Sequence, residues 1–131
     1  GAILCNKKTS LVFNPGDHGS TFGGNPVSCA GAIVVLDEIC NNETYASVEK
    51  KGKLVKTLLN NSSSSKIKEI RGKGLILGIE IEGSSSEVQK KAVEKGLLIL
   101  TAGPNVIRLL PPLIIDEDEL SDGINTLISC L

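Results

Sequence analysis

The 131-residue chain has no methionine and no tryptophan, and aromatic residues make up only 2% of it. This scarcity argues against the aromatic stacking platform that binders of single-stranded nucleic acid use. The formal net charge is −1, so the chain also lacks the basic surplus that nucleic acids and anionic membranes attract. We therefore expect neither a nucleic acid nor a membrane as the partner.

Metal ligands are equally scarce. The four cysteines, at positions 5, 29, 40 and 130, form no C-x-x-C pair, and His18 is the single histidine. A zinc site needs more ligands at closer spacing, so we predict no metal site. The spacing leaves a disulfide open, but buried free thiols are the simpler interpretation.

The sequence begins Gly1-Ala2 without methionine, so we expect a piece of a longer or processed protein. Its length and its 40% apolar content suit one compact domain. No secretory signal is recognisable, because Lys7 and Lys8 follow the first apolar residues instead of preceding them. The apolar run Ala30–Leu36 is too short to span a bilayer. These features predict a cytoplasmic protein.

Hydrophobic spacing predicts two helices in the first half, after a strand end and connector over residues 1–13. Asn25-Pro26 is typical of a helix start, and the apolar run Val27–Leu36 predicts a helix buried on all sides. A second helix is predicted over Glu43–Leu59, with Gly52 inside it at some cost. Its apolar face comprises Tyr45, Val48, Val55, Leu58 and Leu59.

The second half alternates strands with helices. Leu75–Glu82 alternates apolar and polar residues, which predicts a strand with one buried face, and Arg71–Gly74 before it reads as a solvated turn. Asp116, with Glu119 three residues on, resembles a capping box. This order predicts an α+β fold, a small and mainly antiparallel sheet with helices on one side. The other predicted elements are strands over Ile67–Ile70, Leu97–Thr101 and Val106–Leu110 and a helix over Ser84–Lys95.

A glycine-rich loop, Asp17–Pro26 (DHGSTFGGNP), precedes the first long helix. Gly19 and Gly24 have the spacing of G-x-x-x-x-G-K-[ST], but Asn25-Pro26 replaces the lysine and hydroxyl residue, so that motif is rejected. Glycines and hydroxyls still suit a phosphate, because backbone N–H groups can approach it closely. From the residues alone, a turn-rich helix entry is the simpler interpretation.

Arg108 is the one charged residue between Val106 and Ile115. The residues alone favour an arginine on an exposed strand face. A guanidinium is also suited to binding a carboxylate through two parallel hydrogen bonds. We interpret His18 as structural.

Three segments carry a resemblance to a known family. HGSTFGGNPVSCAGAIVVLDEI (residues 18–39) resembles the segment that follows the cofactor lysine in class III aminotransferases, which use pyridoxal phosphate. RGKGLILGIEI (71–81) resembles the first strand pair of their C-terminal domain, and GLLILTAGPNVIRLLPPLIIDEDEL (96–120) their last strands and helix. The AGPN segment before VIRLLPP is most similar to the acetylornithine branch.

The resemblance implies the C-terminal portion of a fold-type I enzyme, α/β overall in the full-length protein. Residues 1–25 would end the large domain, 26–60 would form connecting helices and 61–131 the small α+β domain. Thr21, with Ser20 beside it, would bind the cofactor phosphate of the neighbouring subunit in a homodimer. Arg108 would bind the substrate α-carboxylate.

The cofactor lysine and the aspartate that pairs with the pyridine nitrogen are expected upstream of Gly1. The chain alone is therefore expected to be inactive, and no catalytic residue is assigned to it. The implied reaction transfers the amino group of N-acetylornithine to 2-oxoglutarate in arginine biosynthesis. Ornithine, 4-aminobutyrate and N-succinyl-diaminopimelate remain alternative amino donors. A non-catalytic dimerisation or regulatory domain and a binder of another phosphate ligand also stay open.

Overall fold

The structure is a computed structural model that describes residues 3–131. The chain divides into two compact units, one ending at Asp37 and the other comprising Glu38–Leu131. Within the described residues, no helix combines the length and apolarity needed to cross a membrane. The elements, in chain order, are α1 (Lys7–Ser10), α2 (Pro26–Ile39), α3 (Asn42–Asn60), β1 (Ile67–Lys73), β2 (Ile76–Ile81), α4 (Ser85–Glu94), β3 (Leu100–Thr101), β4 (Val106–Leu109) and α5 (Glu117–Ile128).

The start of the first unit differs from the prediction. Residues 3–13 contain the helical turn α1 where the sequence predicts a strand end. Asn6 caps this turn, because its side-chain oxygen accepts a hydrogen bond of 2.9 Å from the backbone N–H of Thr9. A local capping bond therefore decides the conformation of this segment.

Helix α2 begins where the sequence predicts, but its predicted burial is wrong. Asn25 caps it by accepting a hydrogen bond of 2.9 Å from the backbone N–H of Ser28. Every residue over Val27–Leu36 is exposed, and Leu36 retains 52% of its accessible surface. A helix that is apolar all round is buried only when other elements surround it, and the described residues leave its surface uncovered.

The second unit is built on an antiparallel sheet with strand order β1-β2-β4-β3. This confirms the predicted α+β architecture. The predicted alternation of β2 is also confirmed, since Leu77, Ile79 and Ile81 are at most 1% exposed. Strand β1 is longer than predicted: Arg71–Lys73 belongs to it, and the turn falls on Gly74-Leu75, where Gly74 has a φ of +56°.

Strand β3 is shorter than the prediction of Leu97–Thr101. The backbone N–H of Leu97 donates to the carbonyl of Ala92 at the end of α4, at 2.8 Å. The side-chain amide of Gln89 donates to the carbonyl of Ile99, at 2.7 Å. Helix α4 thus uses backbone groups that a longer strand would need for the sheet ladder.

Helices α3, α4 and α5 all pack on one face of the sheet. Asp116 caps α5 as predicted, accepting a hydrogen bond of 2.7 Å from the backbone N–H of Glu119. Tyr45, predicted to face the core, is instead exposed, because it lies near the start of α3, before the first buried residue, Lys51. The helices bury Val55 and Leu59 from α3, Val88 and Ala92 from α4, and Leu120, Ile124 and Leu127 from α5.

The four cysteines are free thiols. Cys130 is buried, as predicted, but Cys5, Cys29 and Cys40 are exposed. Their exposure corrects the prediction of buried thiols, because burial of a cysteine depends on elements packed over it and not on its own polarity.

The close approach of α3 to the β1–β2 turn explains why a glycine, Gly52, occupies this position inside the helix. A methyl group at this position would overlap the carbonyl oxygen of Gly74 and lie 2.9 Å from its carbonyl carbon. Lys56 stabilises the contact between α3 and β1, because its ammonium donates to the carbonyl of Gly72 at 2.9 Å. The conformational cost of a glycine in the helix is therefore offset by packing that no larger residue permits.

We expect Gly52→Ala to lower the free energy of unfolding by about 1–3 kcal/mol, because the turn must move to admit the methyl group. Gly123→Ala in α5 is the matched control: its methyl group would lie 3.6 Å from Leu97 Cδ1, an ordinary contact. That substitution should raise the stability by up to about 1 kcal/mol. Urea unfolding followed by far-UV circular dichroism measures both, and equal effects of the two substitutions would contradict the packing argument.

Candidate functional site

The glycine-rich loop of the first unit is shaped by glycines that space and conformation require. Gly24 has a φ of +74°, which side-chain-bearing residues rarely adopt. A methyl group at Gly23 would lie 3.0 Å from Ser20 Cβ, so the loop folds tightly over this position. Asn25 closes the loop, since its amide donates to the carbonyl of Phe22 at 2.7 Å.

The predicted phosphate donors lie at the surface of this loop. Ser20 and Thr21 are both exposed, and so is His18. Two adjacent hydroxyls beside glycines, ahead of the start of a 14-residue helix, form a donor set that suits a phosphate. The residues present therefore fit the phosphate of the implied cofactor.

Arg108 lies on β4 and faces away from the helices. Its neighbour Ile107 is 0% exposed and faces the core, and successive residues of a strand point to opposite faces. Arg108 is exposed on the open face of the sheet, opposite Gly78 of β2 and Leu100 of β3. The ion pairs formed within residues 3–131 do not include it. Its guanidinium is thus available to an anion.

Arg71, the only other arginine of the sequence, is held by two carboxylates. Its Nη1 donates to Glu69 Oε2 at 2.7 Å and to Glu80 Oε2 at 2.9 Å. The hydrogen bond to Glu80, followed by that to Glu69, raises the pKa of Arg71 above its ordinary value. The predicted solvated turn is therefore wrong for this residue, because Arg71 lies on β1 beside Glu69 and the pairing of β1 with β2 brings Glu80 to it.

A pocket of about 470 Å³ in the second unit is lined in part by Arg108. It lies among the segment 95–100, the end of β4 and helix α5, and its lining is mainly apolar, with Glu119 and Asp122 among the polar residues. Leu77, Leu120 and Ile124 also line the pocket, so it lies on the helix side of the sheet, whereas the side chain of Arg108 points to the opposite face. The pocket is therefore not assigned to the carboxylate.

Lys51, which was not among the predicted site residues, is only 7% exposed. Its ammonium donates to the carbonyl of Leu113 at 3.1 Å and so ties α3 to the loop that follows β4. Nothing in the local sequence distinguishes Lys51 from the exposed Lys50 and Lys53, since the acceptor lies 62 residues away.

The sequence profile of the family "Aminotransferase class-III" matches residues 1–131. The acetylornithine aminotransferase of Caldanaerobacter subterraneus subsp. tengcongensis is 45% identical over 130 residues, which cover 97% of this chain and 33% of that protein. The mitochondrial acetylornithine aminotransferase of Alnus glutinosa is 44% identical over 134 residues, which cover 100% of this chain and 30% of that protein.

The structure is similar to the crystal structure of acetylornithine aminotransferase from Elizabethkingia anophelis, with a TM-score of 0.82 and 35% identity. The match covers 97% of this chain and 33% of that one. The chain thus spans about a third of the length of the relatives it matches. The predicted family resemblance and fold class are confirmed.

The loop geometry predicts the effect of removing the cap of α2. Asn25→Ala deletes the acceptor for the Ser28 N–H and the donor to Phe22, so the first turn of α2 should open more often. The expected loss of about 1 kcal/mol corresponds to roughly fivefold faster hydrogen exchange of the Ser28 amide. Ser28→Ala is the comparison variant: it removes the hydroxyl that accepts from the Asn25 amide at 2.9 Å but keeps the bond from the Ser28 N–H to Asn25, so it should raise the exchange of that amide less than Asn25→Ala does.

Proposed function

Because the chain belongs to the class-III aminotransferase family, we propose that it is the C-terminal portion of an acetylornithine aminotransferase. The whole enzyme would transfer the amino group of N-acetylornithine to 2-oxoglutarate. The identity of 44–45% to proteins of that name supports this choice over the ornithine and 4-aminobutyrate alternatives. N-succinyl-diaminopimelate stays an alternative amino donor, because a relative that is 41% identical carries both substrate names.

The observation that carries the proposal is the free guanidinium of Arg108. Both substrates bear a carboxylate that a guanidinium can hold through two parallel hydrogen bonds. In 2-oxoglutarate this carboxylate lies beside the reacting carbon, and in N-acetylornithine it lies at the other end of the carbon chain from the δ-carbon that carries the free amino group. The strand pairing of β4 with β2 and β3 fixes the backbone of Arg108, which limits the entropy lost on binding. In this proposal Arg108 orients the substrate and takes no part in proton transfer.

Pyridoxal phosphate is the proposed cofactor, and it would supply an electron sink for the carbanion formed at the substrate carbon. Thr21 and Ser20 would donate hydrogen bonds to its phosphate. Their exposure and the glycines around them support this role, because backbone N–H groups can then approach the same phosphate. The residue that exchanges protons with the substrate is proposed to lie outside this chain, which alone is expected to be inactive.

A homodimer is proposed as the assembly, with the hydroxyls of this loop serving the neighbouring subunit. The exposed apolar surface of α2 supports a protein partner.

The cytoplasmic location stays a prediction, and the name of the Alnus relative assigns that protein to mitochondria. A non-catalytic dimerisation or regulatory domain is the alternative function, and the exposed α2 is compatible with it.

A chimaeric enzyme tests the proposal. The segment of the Caldanaerobacter enzyme that matches this chain is replaced by residues 1–131, and glutamate formation from N-acetylornithine and 2-oxoglutarate is measured. We expect activity, and we expect Arg108→Lys to raise KM for both substrates about tenfold or more, because lysine loses the bidentate geometry. Lys95→Arg is the control at another cation of the pocket lining. A folded, cofactor-loaded chimaera without activity would support the non-catalytic alternative.

Thr21→Ala in the same chimaera should weaken cofactor binding about 10- to 100-fold, since a hydrogen bond to a charged group is lost. Thr21→Ser keeps the hydroxyl and should retain most of the affinity. The cofactor absorbance of dialysed protein, titrated with pyridoxal phosphate, measures both variants. Equal affinity of the alanine variant and the parent would show that Thr21 does not contact the phosphate.

A further inference from the structure

Glu80 occupies equivalent positions relative to the two arginines of the chain. Arg71 of β1 and Arg108 of β4 are both register partners of Gly78, on either side of β2. Glu80 is two residues further along β2 and points to the same open face. It is therefore a diagonal neighbour of each arginine, at a backbone separation of about 7–8 Å that an arginine side chain can bridge.

In the structure Glu80 forms its ion pair with Arg71 of β1 and not with Arg108 of β4. Its Oε2 accepts from Arg71 at 2.9 Å, and its Oε1 accepts from the side-chain amide of Asn105 at 3.4 Å. Glu69, its register partner on β1, holds the same Arg71 nitrogen at 2.7 Å. Both carboxylate oxygens of Glu80 thus have donors, and neither donor is Arg108.

The position of β2 that lies between the two arginines carries no side chain. The position between them is Gly78, and a methyl group there would lie 3.7 Å from Arg71 Cγ. The stem of Arg71 therefore lies beside the glycine and reaches Glu80 from one side. On the other side Val106 is the register partner of Glu80, and its Cγ1 would lie 3.6 Å from a methyl group at Gly78, so Arg108 would reach Glu80 along the diagonal that passes Val106.

We propose that Arg71 is a positioning residue that keeps Glu80 from pairing with Arg108, and so keeps Arg108 available to a carboxylate ligand. This inference rests on the role proposed for Arg108. Without Arg71, Glu80 loses its strongest donor, and Arg108 becomes the one remaining guanidinium of the chain. A carboxylate on the neighbouring strand then competes with any carboxylate from solution.

The magnitude of this competition follows from the exposure of the site. The side chains of Arg71 and Glu80 are 46% and 33% exposed, so solvent screens the pair. Exposed ion pairs of this kind change an equilibrium about two- to fivefold. Removing Arg71 should therefore weaken carboxylate binding at Arg108 by about that factor.

The 131-residue chain itself serves for the test, because its two arginines give two side-chain Nε–H resonances in a ¹⁵N NMR spectrum. Acetate is the carboxylate probe. In the unmodified chain, acetate should perturb the Arg108 resonance and leave that of Arg71 in place. In Arg71→Gln, the Arg108 resonance should already be shifted before acetate is added, and its acetate affinity should fall about two- to fivefold.

The double variant Arg71→Gln/Glu80→Gln should restore both the resonance position and the acetate affinity of Arg108. Lys73→Gln removes one positive charge from the same face and strand, where Lys73 is the partner of Ile76, and is the matched control. An Arg108 resonance that is the same in Arg71→Gln as in Lys73→Gln would overturn the proposal. So would failure of the double variant to reverse the change.

A failure of the proposed function has a different signature. If acetate perturbs Arg108 in no variant, the carboxylate-binding role of Arg108 is wrong, while the acetate-free shift in Arg71→Gln still decides whether Glu80 moves. If Arg71→Gln does not fold, Arg71→Lys replaces it, since lysine keeps the charge and loses the second contact. A smaller shift of Arg108 that Glu80→Gln reverses is then expected, and no shift would overturn the proposal.

Discussion

The second unit depends on the burial of one face of β2. Leu77, Ile79 and Ile81 are almost without exposed surface, and both neighbouring strands pair with β2. A shift of the strand pairing by one residue would expose the apolar side chains of β2 to solvent. The core therefore fixes the register of β2 with both β1 and β4. The positions of Arg71 and Arg108 on the opposite face are a consequence of that register. The candidate site is therefore specified by residues that never touch it.

The parts of the fold that were predicted correctly have short-range signals. Alternation identified β2, and Asp116 with Glu119 identified the start of α5, because each pattern is complete within a few residues. The exposed α2 and the shortened β3 could not be predicted in this way. Their states depend on which elements cover the helix and on how α4 engages the backbone of residues 97–99.

The candidate site shows the same division. The resemblance singled out Thr21, Ser20 and Arg108, and their roles remain predictions that the exposure of all three supports. Two polar contacts of the second unit were not predicted. Glu80 meets Arg71 only after two strands pair, and Lys51 meets the Leu113 carbonyl only after α3 packs beside the loop that follows β4. Contacts that join distant segments carry no signature in the local sequence.

The contact between Gly52 and Gly74 has a consequence for how the sequence can diverge. The turn that it touches joins β1 to β2, so displacing the turn would shift the strand that carries Glu69 and Arg71. Tolerance to variation in the middle of α3 is therefore linked to the carboxylate pairing on the far face of the sheet. Substitutions at residue 52 and in the β1–β2 turn should therefore be correlated among sequences related to this one.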